Sequence, residues 1–356
     1  MAKKIFIVSH SSEIEGPIDY YWEYLKRNGY VVLKLEHPLN DYRKRFSIFY
    51  GQSEVLKIKR SNHFGILNLF VDFYISTKFI LRNDFDIFIG ANNFDTFVGI
   101  FSRNILRKKI EKIIYFGSDF SEDRFNNVLL DRIYYFIETI CCKYSDLVIS
   151  NTKRAEEKRL SFELEAANSI VIPNGVLLEV EGFNKKEINK RNFIFVGSVT
   201  REHGLYALIE CIYPLIGKLV LIGYGDDWNR VIRLCEGKNI KAETYSKKNH
   251  GFCINYMKKF DGFGLAPYNL SSKWTYYCSP LKVVEYVACG LPVLMSSLPE
   301  IASYIEEKKL GIIFDKMDYA SLSNKLKIFD TGDFSAKAKI FYDSYNLNNL
   351  YSKIRL

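Results

Sequence analysis

The chain has 356 residues, a length that suits two domains, each with its own hydrophobic core. A hydrophobic content of 48% excludes a disordered protein, and a formal net charge of +9 favours anionic partners such as nucleotides and phospholipids. Seven cysteines without a paired C-x-x-C spacing argue against a zinc site or a disulfide framework. The sequence contains no nucleic-acid-binding motif, so we expect no nucleic-acid partner.

The N-terminus and the longest apolar stretch bear on location. Residues 4–8 form an apolar run too short for a signal peptide and are predicted as the first strand. Residues 64–81 are interrupted by Asn68, Asp72 and Lys78, so they fall short of the ~20 apolar residues of a transmembrane helix. We therefore expect a cytoplasmic protein, soluble or peripheral at the inner face of the cell membrane.

Helical and strand patterns alternate along the N-terminal half. A predicted helix over 18–28 separates the first strand from a strand over 31–35, and this βαβ order predicts a parallel sheet. Further buried strands are predicted at 85–90, 113–116 and 147–150, and a long helix at 123–143.

Residues 42–60 are basic and aromatic. They suit contact with an anionic membrane surface or a lipid diphosphate, and they equally suit a solvated loop and helix face. The residues concerned are Tyr42, Arg43, Lys44, Arg45, Phe46, Phe49, Tyr50, Lys57, Lys59 and Arg60.

Asp119 follows the predicted strand 113–116, after Gly117 and Ser118. The carboxyl end of a strand is where doubly wound sheets place ligands. The alternative is that Asp119 caps or opens the next helix, and the two roles are compatible.

The C-terminal half predicts a second βαβ unit. Strands are predicted at 193–197 and 219–222, the second ending in Gly223-Tyr224-Gly225, after a charged, linker-like segment at 177–191. Glycines with this spacing let a backbone approach a ligand closely.

The stretch 261–295 holds the strongest local pattern. A buried strand at 263–266 is followed by a polar, aromatic loop at 268–278, and a helix is predicted to begin with Ser279 as its cap and Pro280 in its first turn. Free N–H groups at such a helix start suit a phosphate, with Lys282 beside it and Glu285 on the same face for ribose hydroxyls. The alternative is an ordinary surface helix with a solvated pair.

Ser279–Val293 resembles the Ser-Pro-Leu-Lys-x-x-Glu-Tyr-x-Ala-x-Gly-x-Pro-Val signature of the group 1 glycosyltransferases, which have the GT-B fold. The resemblance implies an α/β protein with two Rossmann-like domains facing across a cleft. It implies an acceptor-binding domain at 1–175 and a nucleotide-sugar-binding domain at 176–335. A final helix at 336–356 would cross back to the first domain.

The resemblance also implies roles for individual residues. Lys282 would act on the leaving diphosphate, and Asp119 is placed as the catalytic base of an inverting enzyme. The implied nucleotide-sugar contacts, including Tyr245 as a possible base contact with packing as the alternative, are Gly16, Gly197, Arg201, Gly223, Tyr245, Tyr268, Asn269, Ser279, Pro280, Leu281, Lys282 and Glu285.

Three positions depart from the family pattern. Ser198 and His203 stand where members often carry an Arg and a Lys that grip diphosphate, and Arg201 is the nearby substitute. Tyr277, eight residues before Glu285, stands where many retaining members carry a glutamate that contacts the donor sugar. This replacement favours an inverting reaction over a retaining one.

The resemblance implies a metal-independent glycosyltransferase without a cofactor. It would move a sugar from a UDP- or GDP-type donor to a glycan or lipid-linked acceptor in bacterial surface polysaccharide or glycoconjugate synthesis, with possible peripheral contact with an anionic membrane. A nucleotide-sugar 2-epimerase of the same architecture and a non-catalytic sugar-nucleotide-binding protein remain as alternatives.

Overall fold

The computed structural model describes residues 3–10, 16–38, 45–50, 53–59, 65–177 and 187–356. The chain divides into an N-terminal unit, Met1–Pro173 with Tyr351–Leu356, and a C-terminal unit, Asn174–Leu350. Of the segment 336–356 that was expected to cross back, 336–350 therefore group with the C-terminal unit. The loop residues 11–15, most of the predicted linker (178–186), and Tyr42, Arg43, Lys44 and Arg60 lie outside the described residues.

The N-terminal unit is built on an eight-stranded sheet in the described residues, with the order β4-β3-β2-β1-β5-β6-β7-β8. The strands are β1 Lys4–His10, β2 Val31–His37, β3 Arg45–Tyr50, β4 Ser53–Lys59, β5 Ile87–Gly90, β6 Lys112–Gly117, β7 Leu147–Ser150 and β8 Ser169–Val171. The helices are α1 Pro17–Arg27, α2 Gly65–Arg82, α3 Asn93–Asn104, α4 Val128–Tyr144 and α5 Lys153–Leu160. Strands β1 and β5 to β8 pair in parallel. The apolar runs of β1, β5, β6 and β7 are buried because helices cover the sheet.

In its described residues, 45–50 and 53–59, the basic, aromatic segment forms two strands, where a loop and a helix face were the alternative. Strands β3 and β4 make an antiparallel hairpin that pairs with β2, so the sheet is mixed and not wholly parallel. Phe46 and Ile48 are buried against the core, while Tyr50, Val55 and Leu56 are exposed. Among the described side chains, the hairpin thus has an apolar anchor and an exposed surface with apolar side chains.

The C-terminal unit contains a six-stranded sheet with the order β11-β10-β9-β12-β13-β14, parallel throughout. Its strands are β9 Asn192–Ser198, β10 Lys218–Tyr224, β11 Ala242–Ser246, β12 Phe263–Ala266, β13 Val293–Ser296 and β14 Gly311–Phe314. Its helices are α6 Leu205–Ile212, α7 Trp228–Gly237, α8 His250–Lys259, α9 Lys273–Tyr277, α10 Leu281–Ala288, α11 Ile301–Glu307, α12 Tyr319–Ile328, α13 Phe334–Tyr345 and α14 Leu347–Tyr351, the last ending in the N-terminal unit. The predicted strands are present, whereas α9 lies in a segment predicted as loop.

The cysteines and the apolar helices are described by the structure as follows. The seven cysteines, all in described residues, form no disulfide, and most of them are buried. Across the described ranges, the helices are too short or too polar to span a bilayer.

Candidate functional site

The helix at the centre of the sequence pattern begins later than predicted. Helix α10 starts at Leu281, and Pro280 occupies the cap position without a side-chain hydrogen bond. The prediction that Ser279 caps the helix is wrong, because the Ser279 hydroxyl accepts from the backbone N–H of Asn174 (3.0 Å) and its carbonyl accepts from Asn174 Nδ2 (2.6 Å). The cap residue Pro280 therefore offers no side-chain cap to the first turn of α10, whose N–H groups suit an anion.

Lys282 points its ammonium into the protein. Its Nζ atom is buried and has no hydrogen-bond partner among the described residues, lying 4.3 Å from the ring centre of Phe195 and 5.4 Å from that of Tyr268. Burial lowers the pKa of Lys282 to about 7, with Cys278 and Glu285 opposing the shift. A buried cation without a polar partner destabilises a fold, and a bound anion would remove that penalty.

Two glycines shape the strand ends beside Lys282. Gly197 has φ +126°, and a Cβ there would lie 3.3 Å from Lys282 Nζ, so the ammonium and the end of β9 are in close contact. A Cβ on Gly223 would lie 1.9 Å from the carbonyl oxygen of Gly197. The missing side chain at Gly223 thus accommodates the neighbouring strand. A ligand contact at Gly223 stays a prediction.

A 3-10 turn at Arg201–His203 follows β9. Arg201 is exposed, whereas His203 is half-buried and its Nδ1 lies 2.9 Å from Thr200 Oγ1. Burial, and then Lys282, lower the pKa of His203 to about 3, so its ring is neutral near pH 7. His203 therefore brings no positive charge, and the cations available for a diphosphate here are Lys282 and Arg201.

Glu285 has a partner that the sequence did not indicate. Its side chain is 8% exposed, and its Oε1 accepts a hydrogen bond from Nε2 of His250 over 2.7 Å. His250 opens α8, whose cap Asn249 accepts from the N–H of Phe252. The pair joins the first residue of α8 to the middle of α10. The alternative of a solvated pair of Lys282 and Glu285 is wrong, because both functional groups are buried.

The predicted aromatic contacts fall in two different places. Tyr268 is buried beside Lys282 and His203, and the N–H of Asn269 donates to the carbonyl of Glu202. Tyr245 packs on Phe252 and Tyr256 with ring centres 5.3 and 5.4 Å apart. Its packing role is therefore evident, and a contact with a base stays a prediction.

In the N-terminal unit, Gly16 precedes α1, and its N–H donates to Asp19 Oδ2 over 2.7 Å.

Asp119 is exposed in the connection between β6 and α4. Helix α4 begins at Val128 and is capped by Asn127, whose Oδ1 accepts from two N–H groups. The alternative that Asp119 caps this helix is therefore wrong, and the expected start of the helix at residue 123 was too early.

A buried arginine supports the segment that carries Asp119. Arg159 is fully buried; its guanidinium donates to Glu138 Oε1 (2.8 Å), to the carbonyl of Gly117 (3.0 Å) and to the carbonyl of Asp119 (3.3 Å). A Cβ on Gly117 would lie 2.6 Å from this guanidinium. The charge network fixes the backbone on both sides of Ser118, which the sequence did not reveal.

Among the described residues, carboxylates, imidazoles and thiols do not gather into a metal site. In the part of the chain that the structure describes, no group of three or more His, Cys, Asp or Glu side chains could hold an ion.

Comparison with known proteins shows that the Lys282 site lies in a segment that matches a family model. Residues 190–328 match the model of the family described as Glycosyl transferases group 1. Over this segment the chain is similar to the group 1 glycosyltransferases. The matched segment contains every predicted nucleotide-sugar contact except Gly16, and it also contains His250, so the buried Lys282 and the Glu285–His250 pair lie within it.

Relatives extend the similarity beyond the matched segment. An uncharacterised 41.2 kDa protein in the cps region of Klebsiella pneumoniae is 24% identical over 269 residues, which cover 70% of this chain but 65% of the relative, less than two thirds of its length. Sucrose-phosphate synthase from Thermosynechococcus elongatus superposes with a TM-score of 0.71 at 14% identity, covering 99% of this chain and 97% of the other. The HepE protein of Anabaena, in complex with UDP and glucose, gives a TM-score of 0.68 at 14% identity, with coverages of 99% and 98%. The chain as a whole has the GT-B fold.

Proposed function

We propose that this chain is a glycosyltransferase that moves a sugar from a nucleotide-diphosphate sugar to a hydroxyl group of a glycan or lipid-linked acceptor. The observation that carries the proposal is the buried, unpartnered ammonium of Lys282 beside the uncapped start of α10, inside the segment that matches the group 1 glycosyltransferases. An anion such as a diphosphate satisfies both features at once. No cofactor is required.

The donor is a nucleoside diphosphate sugar of the UDP or GDP type. The similar HepE structure contains UDP and glucose, which supports a UDP-sugar. Lys282, the N–H groups of α10 and Arg201 neutralise the charge that develops on the leaving diphosphate. Glu285 accepts hydrogen bonds from the ribose hydroxyls, and Tyr245 contributes to the binding of the nucleobase.

The transfer proceeds in one displacement with inversion at the anomeric carbon. The acceptor oxygen forms the new bond to that carbon, the bond from the carbon to the diphosphate oxygen breaks, and the acceptor proton passes to the carboxylate of Asp119. Tyr277, in place of the glutamate of many retaining members, supports this outcome. Positive charge from Lys282 and the helix start replaces a metal ion.

The biological setting that fits is surface polysaccharide or glycoconjugate synthesis at the inner face of the membrane. A relative from a cps region supports the polysaccharide role. The exposed Tyr50 and Leu56 of the hairpin, together with the net charge of +9, support contact with anionic lipid. Co-sedimentation with phosphatidylglycerol vesicles, and not with phosphatidylcholine vesicles, is the expected result.

Incubation with labelled sugar nucleotides, guided by a thermal-shift screen of UDP, GDP, dTDP, ADP and CMP, tests the proposal. A ligand at 100 times its dissociation constant stabilises a protein by about 2.7 kcal/mol, which such a screen resolves. Transfer to an acceptor supports a glycosyltransferase. Conversion of the donor into its 2-epimer indicates an epimerase, and binding without turnover indicates a sensor; either result overturns the proposal.

A further inference from the structure

A row of polar side chains lies along the carboxyl ends of three neighbouring strands in the N-terminal unit. His10 and His37 are the last residues of β1 and β2 and are register partners. Asn92 follows β5 and caps α3, whose first turn holds Asp95. Doubly wound sheets bind ligands at the carboxyl ends of their strands. His10, the exposed member of this row, is therefore well placed to contact a ligand.

The inner end of this row of side chains is a buried cluster of charged groups. His37, Asp72 and Asp95 are all fully buried; Nε2 of His37 donates to Asp95 Oδ1 over 2.6 Å, and Nδ1 lies 3.6 Å from Asp72 Oδ2. Burial works to lower the pKa of His37, but the two aspartates outweigh it and raise the pKa to about 9. One imidazolium between two carboxylates leaves the cluster with a net negative charge and fixes Asp95 in place.

Asp95 in turn determines how the amide of Asn92 is oriented. The backbone N–H of Asp95 donates to Oδ1 of Asn92 over 2.9 Å, which identifies the amide oxygen. The amide nitrogen Nδ2 then lies 2.7 Å from Asp95 Oδ2 and 3.2 Å from Nδ1 of His10. An amide nitrogen only donates, so this contact assigns Nδ1 of His10 as the acceptor and places the hydrogen of the ring on Nε2.

We propose that His10 is a substrate-positioning residue whose Nε2–H donates a hydrogen bond to a hydroxyl oxygen of the acceptor sugar. This rests on the proposed glycosyltransferase function. An N–H group binds oxygen acceptors, and the negative cluster of His37, Asp72 and Asp95 disfavours the phosphates of the donor. Because Nε2 already carries a hydrogen, His10 does not take the acceptor proton, and that role stays with Asp119.

The tautomer is tested without any substrate. Long-range proton–nitrogen correlation spectra of protein labelled with nitrogen-15 histidine, recorded near neutral pH, should show His10 as the neutral Nε2–H tautomer. The His10→Gln spectrum assigns its signals. In Asn92→Ala the tautomer preference should weaken, because the donor to Nδ1 is gone. An Nδ1–H tautomer or an imidazolium in the unmodified protein overturns the proposal.

Kinetics test the ligand once a donor and an acceptor have been found. The amide of His10→Gln places a donor near the position of Nε2, whereas His10→Leu has none. We expect His10→Leu to raise the acceptor KM about 2- to 13-fold, the effect of one hydrogen bond, with His10→Gln close to the unmodified protein. Donor KM and donor hydrolysis without acceptor should not change in either variant.

Other outcomes have distinct meanings. A raised donor KM would assign His10 to the donor phosphate or donor sugar, and loss of kcat in both variants would make His10 the base; each overturns the proposal. Absence of transfer by the unmodified protein would defeat the glycosyltransferase function, and with it this ligand, while the tautomer result would still stand by itself.

Discussion

His250 donates a hydrogen bond to Glu285, with 2.7 Å between Nε2 and Oε1. The bond links the first residue of α8 to a buried carboxylate in α10, so Glu285 is oriented before a nucleotide binds. A carboxylate offers two oxygens and about four acceptor positions, so one bond from His250 leaves acceptor positions for ribose hydroxyls. His250 therefore belongs to the ribose end of the proposed donor site.

Replacing Glu285 by Ala should weaken binding of the nucleotide selected in the screen. A hydrogen bond to a charged group contributes about 1.5–3 kcal/mol, which corresponds to a loss of roughly 10- to 150-fold in affinity. His250→Ala should have a smaller effect, because it removes the orienting bond but leaves the carboxylate. Glu307→Ala, at an exposed acid on α11, is the matched control. Calorimetry that finds equal affinity in Glu285→Ala and the control would remove Glu285 from the ribose site.

Replacing Lys282 by Ala should lower kcat more than it weakens donor binding, since negative charge on the leaving diphosphate grows toward the transition state. Steady-state kinetics with varied donor separate the two parameters. Lys325→Ala is a suitable control, because that ammonium donates to the carbonyl of Ile313. A change confined to KM would show that Lys282 binds the ground state and the transition state equally.

The lowered pKa of Lys282 gives a pH dependence of donor binding. In the free protein Lys282 loses its proton near pH 7, whereas a bound diphosphate favours the ammonium. Above pH 7, binding must therefore take up a proton, and affinity should fall by about tenfold for each further pH unit. Calorimetry in buffers of different ionisation enthalpy measures this uptake. Lys282→Met should show none, and uptake that persists in this variant would place the titrating group elsewhere.

The same burial has a cost in stability. The pKa of Lys282 is about 7 in the folded chain against an ordinary 10.5. The loss of folding stability is therefore complete below pH 7, and it disappears as the pH rises from 7 to 10.5. Without ligand, Lys282→Met should unfold at a temperature a few degrees higher than the unmodified protein, since about 1 kcal/mol shifts a domain of this size by ~2–4 °C. The difference should be largest at or below pH 7 and should shrink at higher pH. A Lys282→Met variant of lower Tm at all pH values would mean that the ammonium is stabilised by the fold.

Most parallel strands could be predicted because strands buried on both faces are continuous apolar runs, as in 113–116 and 193–197. The hairpin of β3 and β4 was missed because basic side chains obscure its alternation, although Phe46 and Ile48 are buried two residues apart. The start of α10 was misplaced because the Ser279 hydroxyl bonds Asn174, which is 105 residues away in the sequence.

In the candidate site too, features set by the local sequence could be predicted and features set by distant residues could not. Lys282 and Glu285 could be predicted because one local motif contains both. Partners from distant segments of the sequence could not be predicted. His250 is 35 residues from Glu285, Arg159 is 40 residues from Asp119, and His37 is 58 residues from Asp95. Such pairs are set by the sheet order and leave no periodic trace in the sequence.

Chelation should leave transfer intact. The described residues do not include a cluster of metal-ligating side chains, and the start of α10 with Lys282 can neutralise a diphosphate. The assay compares the rate with EDTA, without additions, and with added magnesium or manganese. Loss of activity in EDTA that either metal restores would contradict the metal-independent mechanism.

Asp119→Asn should lower transfer by a factor on the order of 10² or more while leaving nucleotide binding and folding unchanged. The isosteric amide cannot take the acceptor proton, and no helix is weakened because Asn127, and not Asp119, caps α4. The backbone should also stay in place, since Arg159 holds the carbonyl of Asp119 and not its side chain. Asp84→Asn, at an exposed acid paired with Lys108, is the matched control. The product of the unmodified enzyme should have inverted anomeric configuration by NMR, because the acceptor attacks opposite the departing diphosphate. Near-normal transfer by Asp119→Asn, or a product of retained configuration, would remove Asp119 from the mechanism and place the enzyme among the retaining transferases.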